Sequence, residues 1–205
     1  MKKALNLYAG IGGNRWLWED IEVTAVEINP GRAEVYQDFF PNDKVIVGDA
    51  HEYLLQHYKE FDFIWSSPPC PSHSKLRLSH PETVMYADMK LWQEIKLLKH
   101  WFEGKYCVEN VEPYYKEFDK PTICLDRHLF WTNFEVSNYQ IKKSNKDVSR
   151  DNVEGLQQFK GIDLSNCNIK DKRLLLRNAV HPKLGLHIFN CAFKEKQETL
   201  GVNNG

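Results

Sequence analysis

The chain opens on a short apolar run, Ala4 to Tyr8, that stops at a glycine-rich AGIGG, a pattern that predicts a buried strand running into a tight turn. A helix is expected over 14–20, a second strand over 23–26, and a second helix from Pro30 to near Pro41. Residues 45–47, 51–58 and 61–65 continue as strand, helix and strand. This β-α-β-α-β-α-β alternation predicts a doubly wound, mostly parallel α/β sheet with helices on both faces. After a Pro- and Ser-rich loop at 66–83, Met85, Met89, Trp92, Ile95, Leu98 and Phe102 recur at helical steps as the stripe of an amphipathic helix. A fifth strand is expected from Tyr106 to Val111, a loop over 112–127, and a strand over 128–136 with aromatic and β-branched content. Residues 137–172 show little periodicity, and Leu184 to Phe193 reads as a closing helix.

Composition limits this picture. The 205 residues are 42% hydrophobic and 13% aromatic, enough for one core of ordinary size and too apolar for disorder. Lys plus Arg number 27 against 28 Asp plus Glu, so the whole chain lacks the basic surplus of many nucleic-acid binders. The charge is uneven, however: residues 1–126 carry 14 basic and 20 acidic side chains, while 127–183 carry 11 and 6. That swing predicts a basic face joined to a neutral-to-acidic body. Five cysteines without CxxC spacing fit neither a disulfide framework nor a zinc site, so a reducing cytoplasm and no metal are expected. The start has too short an apolar part for a signal peptide, and no run of 18 apolar residues would span a membrane.

Four segments carry candidate chemistry at expected strand ends, where ligands of doubly wound sheets sit. The first is Tyr8-Ala9-Gly10-Ile11-Gly12-Gly13, whose glycines allow close approach of a nucleotide-like ligand. Its GxGG spacing lacks the third glycine of GxGxxG, which argues against a dinucleotide. Glu27 and Asp49 end the next two strands, placed to bind ribose hydroxyls and an adenine amino group, and each also reads as a helix N-cap or a surface acid. Cys70, in Ser66-Ser67-Pro68-Pro69-Cys70-Pro71, lies where regular structure cannot form, and a loop thiol at this edge is a candidate nucleophile that needs local help to ionise. Glu109, in Cys107-Val108-Glu109-Asn110-Val111, is expected to be desolvated, with a raised pKa that lets it donate as well as accept a proton. Cys107 reads as core.

In this order, NLYAGIGG, VEINP, GDAH, SPPCPSHS, VENV and, near the C-terminus, RNAVHP resemble the motifs of the DNA cytosine-5 methyltransferases. The resemblance covers 6–134 and 173–193 and implies a Rossmann-like fold that binds S-adenosylmethionine. It implies cofactor contacts from Tyr8, Ala9, Gly10, Gly12, Gly13, Glu27, Ile28, Asp49, Ala50, Asn178 and Val180. Catalysis would fall to Cys70 as nucleophile and Glu109 as acid, acting on a cytosine flipped out of DNA, with the loop 71–84 as lid. The family's Arg-x-Arg pair is replaced by Asp126-Arg127-His128. On a strand, Arg127 and His128 would face opposite ways, and Arg127 is preferred as the base contact for its fixed charge.

Other departures bear on the substrate. The loop glutamine and aromatic after the family's Pro-Cys become Pro71 and His73, and Arg177 stands where a glycine is usual. A catalytic domain over 1–136 and 173–205 leaves only 137–172 as a small basic recognition segment, with Lys142, Lys143, Lys146, Arg150, Lys160, Lys170 and Lys172. Such a segment implies a target on the order of 2–4 base pairs, or loose reading supported by a homodimer. The resemblance further implies DNA methylation, as in restriction-modification, in a prokaryotic or phage setting. A tRNA cytosine-5 methyltransferase and a non-catalytic relative that binds DNA or a partner enzyme remain as alternatives.

Overall fold

β1 (Lys2–Leu7) is the centre from which the sheet is wound, and its last four residues are buried on both sides. The computed structural model describes residues 1–75, 86–141 and 152–194. β1 pairs in parallel with β2 (Ile21–Glu27) on one side and β4 (Phe63–Ser66) on the other. β3 (Lys44–Val47) extends the sheet beyond β2, and β5 (Lys105–Val111) extends it beyond β4. β7 (His128–Thr132) enters antiparallel beside β5, and β6 (Ile123–Leu125) closes the edge, giving the order β3-β2-β1-β4-β5-β7-β6. The order reverses between β1 and β4, the switch point where doubly wound folds open a ligand crevice.

Side chains alternate faces along the strands. Leu5, Leu7, Ile64, Tyr106 and Val108 meet α2 (Ala50–His57) and α3 (Lys90–Trp101) through Leu54, Leu91, Ile95 and Leu98. On the opposite face Phe63, Trp65, Cys107 and Phe130 pack against α6 (Pro182–Phe193), while Ala25 packs on Tyr36 of α1 (Pro30–Phe39). Cys107 is fully buried, as its strand position suggested.

Several boundaries differ from the sequence reading. Residues 14–18 form successive turns rather than a helix: Arg15 N–H donates to Gly12, Trp18 N–H donates to Arg15, and the Arg15 side chain binds Asp43 at 3.0 Å. Gly185 of α6 lies so close to the Asn14 backbone that a Cβ there would collide with it. The amphipathic helix starts at Lys90, with Met85 outside the described residues, and β7 stops at Thr132 instead of 136. β6 occupies part of the expected loop 112–127.

Within and beyond the aperiodic stretch, α4 (Val153–Lys160) and α5 (Lys172–Asn178) form. Leu156, Ile162, Leu164, Leu175 and Leu176 share a core with Ile11 of the glycine loop and Val35 of α1. Of the expected basic residues, Lys142, Lys143, Lys146 and Arg150 lie outside the described residues. Lys160 donates to the Ala179 carbonyl, and Lys172 to that of Ser165.

Candidate active site

The switch point opens into a cavity of about 540 Å³. Tyr8, immediately after β1, takes a left-handed backbone at φ 54°, which a non-glycine residue rarely adopts. Its hydroxyl donates to Glu94 of α3 at 2.6 Å, and burial together with that carboxylate raises the phenol pKa far above its usual value. Gly10 follows at φ 54° with open space where a side chain would stand. Its N–H donates to Glu27 Oε2 at 2.9 Å, while Asn29 N–H donates to Oε1 at 2.9 Å. Glu27 is thus a buried carboxylate held by two backbone N–H groups, with acceptor capacity left over on the cavity wall.

Asp49 caps α2 through His51 and Glu52 N–H and binds Lys90 at 3.1 Å. Burial opposes its charge, but the Glu52 N–H and Lys90 outweigh it and hold the carboxyl below its usual range. Asp49 is thus the N-cap of α2 and also lines the cavity. Ala9, Gly13, Ile28, Ala50, Asn178 and Val180 also line the cavity. Gly12 departs from expectation. Its φ is 76° and a Cβ would run into Tyr36 and Phe40, so it faces the core side and serves the turn rather than the cavity wall.

The loop after β4 is tied at its start. Ser66 donates to Glu94 Oε2 at 2.6 Å, and the Asn110 amide donates to the Pro68 carbonyl at 3.0 Å. His73 and Ser74 N–H groups both donate to the Cys70 carbonyl. Cys70 is half-buried on the cavity wall. Burial, then the nearby Glu109, pushes its thiol pKa up against the opposing pull of its own N–H and Arg127.

Glu109 lies on β5 opposite Phe130, two positions along from the Val111–His128 pair. That diagonal suits a long acid and an imidazole, and His128 Nδ1 lies 2.5 Å from Glu109 Oε1. Burial raises the Glu109 pKa, as the sequence suggested, but His128, Ser67 and Arg127 outweigh it. The carboxyl is held below its usual range, which corrects the expectation of a raised value. Arg127 sits in the turn between β6 and β7, beside Asp126 at φ 56°, and its guanidinium donates to the Arg177 carbonyl at 3.1 Å. Because Arg127 precedes the strand, the opposite-face argument does not apply to it, and both Arg127 and His128 line the cavity.

Residues 2–123 match the C-5 cytosine-specific DNA methylases. The chain belongs to that family. Among solved structures, this methylase-family chain is similar to the methyltransferase EhMeth of Entamoeba histolytica, with a TM-score of 0.57 and 12% identity over 95% of this chain and 99% of that one. The likeness is one of fold, and the strand order agrees with a Rossmann-like methyltransferase. A variant of DNMT2 from Spodoptera frugiperda aligns at 25% identity and a TM-score of 0.39, over 54% of this chain and 36% of that one. A Pyrococcus horikoshii protein aligns at 24% identity and a TM-score of 0.39, over 54% of this chain and 49% of that one. No curated protein matches the chain. The family draws its methyl group from S-adenosylmethionine. Among the described residues, no three His, Cys, Asp or Glu side chains cluster to hold a metal, and no helix is long and apolar enough to cross a membrane.

Two groups escaped the sequence reading of this methylase. Glu94, fully buried, accepts from Tyr8, Ser66 and His51, the last at 2.9 Å, and so links the glycine loop, α2 and the Cys70 loop. An acid on the apolar stripe between Leu91 and Leu98 was its visible signal. His73, 1% exposed, meets the Tyr115 hydroxyl through Nδ1 at 2.6 Å, and burial lowers its pKa.

Proposed function

We propose that the chain transfers a methyl group from S-adenosylmethionine to C5 of cytosine in DNA through a covalent Cys70 adduct. The observation that carries this reading is that Cys70, Glu109 and Glu27 line one cavity. Glu27 ends β2 and Glu109 lies three strands away on β5, a separation of about 14 Å at roughly 4.8 Å per strand. One cavity thereby has room for a nucleoside-bearing cofactor beside a flipped base.

The residues fit that cofactor. Glu27 has spare acceptors for two ribose hydroxyls, the space above Gly10 is open, and Ile28 offers an exposed apolar side chain for an adenine ring. When bound, S-adenosylmethionine supplies an electrophilic methyl. Cys70 Sγ adds to cytosine C6, the C5=C6 pair shifts toward C4, and N3 takes a proton delivered at the Glu109 carboxyl. The enamine carbon C5 is then nucleophilic enough to take up the methyl, and loss of its hydrogen lets the Sγ–C6 bond break. A target stacked in a duplex must leave the stack to reach Cys70.

Target reading is assigned to 137–172, in keeping with a short or loosely read sequence, a homodimer being one way to add contacts. Of this segment, 142–151 lies outside the described residues, as does 76–84 of the proposed lid. Methyl transfer from labelled S-adenosylmethionine to duplex DNA and to tRNA tests the substrate. Label in DNA supports the reading, label in tRNA alone moves the chain to RNA, and label in neither overturns the enzymatic reading.

A further inference from the structure

The Glu109–His128 contact carries an inference beyond this reading and rests on it. We propose that His128 is the proton reservoir of the reaction: Glu109 and His128 together hold one transferable proton, which passes from His128 Nδ1 through Glu109 to cytosine N3 as the thiolate adds.

The geometry leaves few other arrangements. His128 Nδ1 is 2.5 Å from Glu109 Oε1, and the two side chains are 12% and 9% exposed, so water competes little for the bond. A guanidinium at this place would keep its protons throughout, whereas an imidazole can surrender one. Glu109 is held in its charged form by His128, Ser67 and Arg127, so the carboxyl by itself is a poor reserve of protons. The cavity also leaves Glu109 accessible to a base beside Cys70.

The charged and titratable groups around the pair are few. Cys70 faces Glu109 from the loop after β4, and Cys107 lies two residues before it on β5, fully buried with its thiol pKa raised by burial and by Glu109. Arg127 stands beside His128 in the turn, directed to the carbonyl of Arg177 on α5, and both arginines line the cavity. Neither thiol adds a cation, and neither arginine yields a proton. His128 is therefore the group of this cluster whose N–H can be passed to Glu109.

The proton balance closes. As Sγ–C6 forms, the thiolate pair becomes that bond, the ring electrons move onto N3, and N3 receives a proton from the Glu109 carboxyl. Glu109 takes that proton from the Nδ1–H of the His128 imidazolium as it passes it on, so Glu109 stays a carboxylate, His128 becomes a neutral imidazole, and the pair goes from one shared proton to none. When water has taken the C5 proton and Sγ–C6 breaks to release the thiolate, N3 returns its proton along the same path. The pair is ready only while it holds a single proton, which predicts a bell-shaped dependence of the methylation step on pH.

His128→Asn keeps an N–H donor toward Glu109 without a proton to give, and His128→Gln is the second variant in case one misfolds. Single-turnover methylation of DNA by either should fall about 100-fold, with KM for DNA within about twofold and the bell-shaped profile replaced by a rate that rises toward acid. Wild-type rate and profile in both variants would overturn the proposal. Proton and nitrogen NMR of the unliganded chain reads the pair without activity: a strongly deshielded His128 Nδ1 proton that disappears in Glu109→Gln supports it, and an unprotonated Nδ1 from pH 5 to 8 overturns it. Absence of methyl transfer by wild type strikes at the functional reading instead, and the resonance still decides whether the pair shares a proton.

Discussion

The side-chain amide of Asn110 donates to the Pro68 carbonyl at 3.0 Å in a buried position, fastening the end of β5 to the loop that carries Cys70. Glu109 and the thiol are thus set relative to one another by the residue between them and the proline loop. Asn110→Ala leaves that carbonyl without its partner, at a cost of about 1–3 kcal/mol. The expected outcome is a lower thermal midpoint and a loss of methyl transfer larger than the loss of S-adenosylmethionine affinity. Calorimetry and single-turnover kinetics check the two parts.

Glu94 gives a stability prediction with a definite sign. Its hydrogen bond raises the pKa of His51, so the folded state binds that proton more tightly than the unfolded chain. The stabilisation is complete below about pH 6.5 and is lost as pH rises through the raised value. Glu94→Gln should lower stability and flatten this dependence, most visibly on the acid side of neutrality. A wild-type midpoint that rises between pH 6 and 8 relative to the variant would show that the pair does not act this way. Tyr8 and Ser66 lose their carboxylate acceptor in the same variant.

Under the proposed function, a change at Glu27 separates cofactor binding from the chemistry at Cys70. Removing its carboxylate takes away both the ribose acceptors and the partner of Gly10 N–H. Glu27→Ala is expected to weaken S-adenosylmethionine by about 10–100-fold, the equivalent of one or two charged hydrogen bonds. Isothermal titration measures this directly, and unchanged affinity would move the ribose elsewhere in the cavity.

The five parallel strands were legible because each apolar run ends in glycine, proline or a lone acid, and their alternation with helices leaves little topological choice. That Glu27, Cys70 and Glu109 line one cavity was legible for the same reason, since ligand crevices open at the strand ends of such sheets. The turns at 14–18 were not, because they depend on Arg15 meeting Asp43 and on α6 pressing Gly185 onto Asn14 across the chain. β6 is only three residues long and exists through its pairing with β7. The partnership of His128 with Glu109 follows from the β5–β7 register, and so does the direction in which the Glu109 pKa moves. A desolvated acid read from its neighbours in sequence has no visible partner; the sheet supplies one from 19 residues away.

Trapping on DNA containing 5-fluorocytosine tests the covalent mechanism most directly. Fluorine at C5 cannot be lost as a proton is, so the Sγ–C6 bond persists once the methyl has been transferred. With S-adenosylmethionine present, the wild-type chain should migrate as a covalent DNA complex that survives denaturation, and Cys70→Ala should give none. A wild-type chain that forms no such complex, or a complex that persists in Cys70→Ala, would contradict the account.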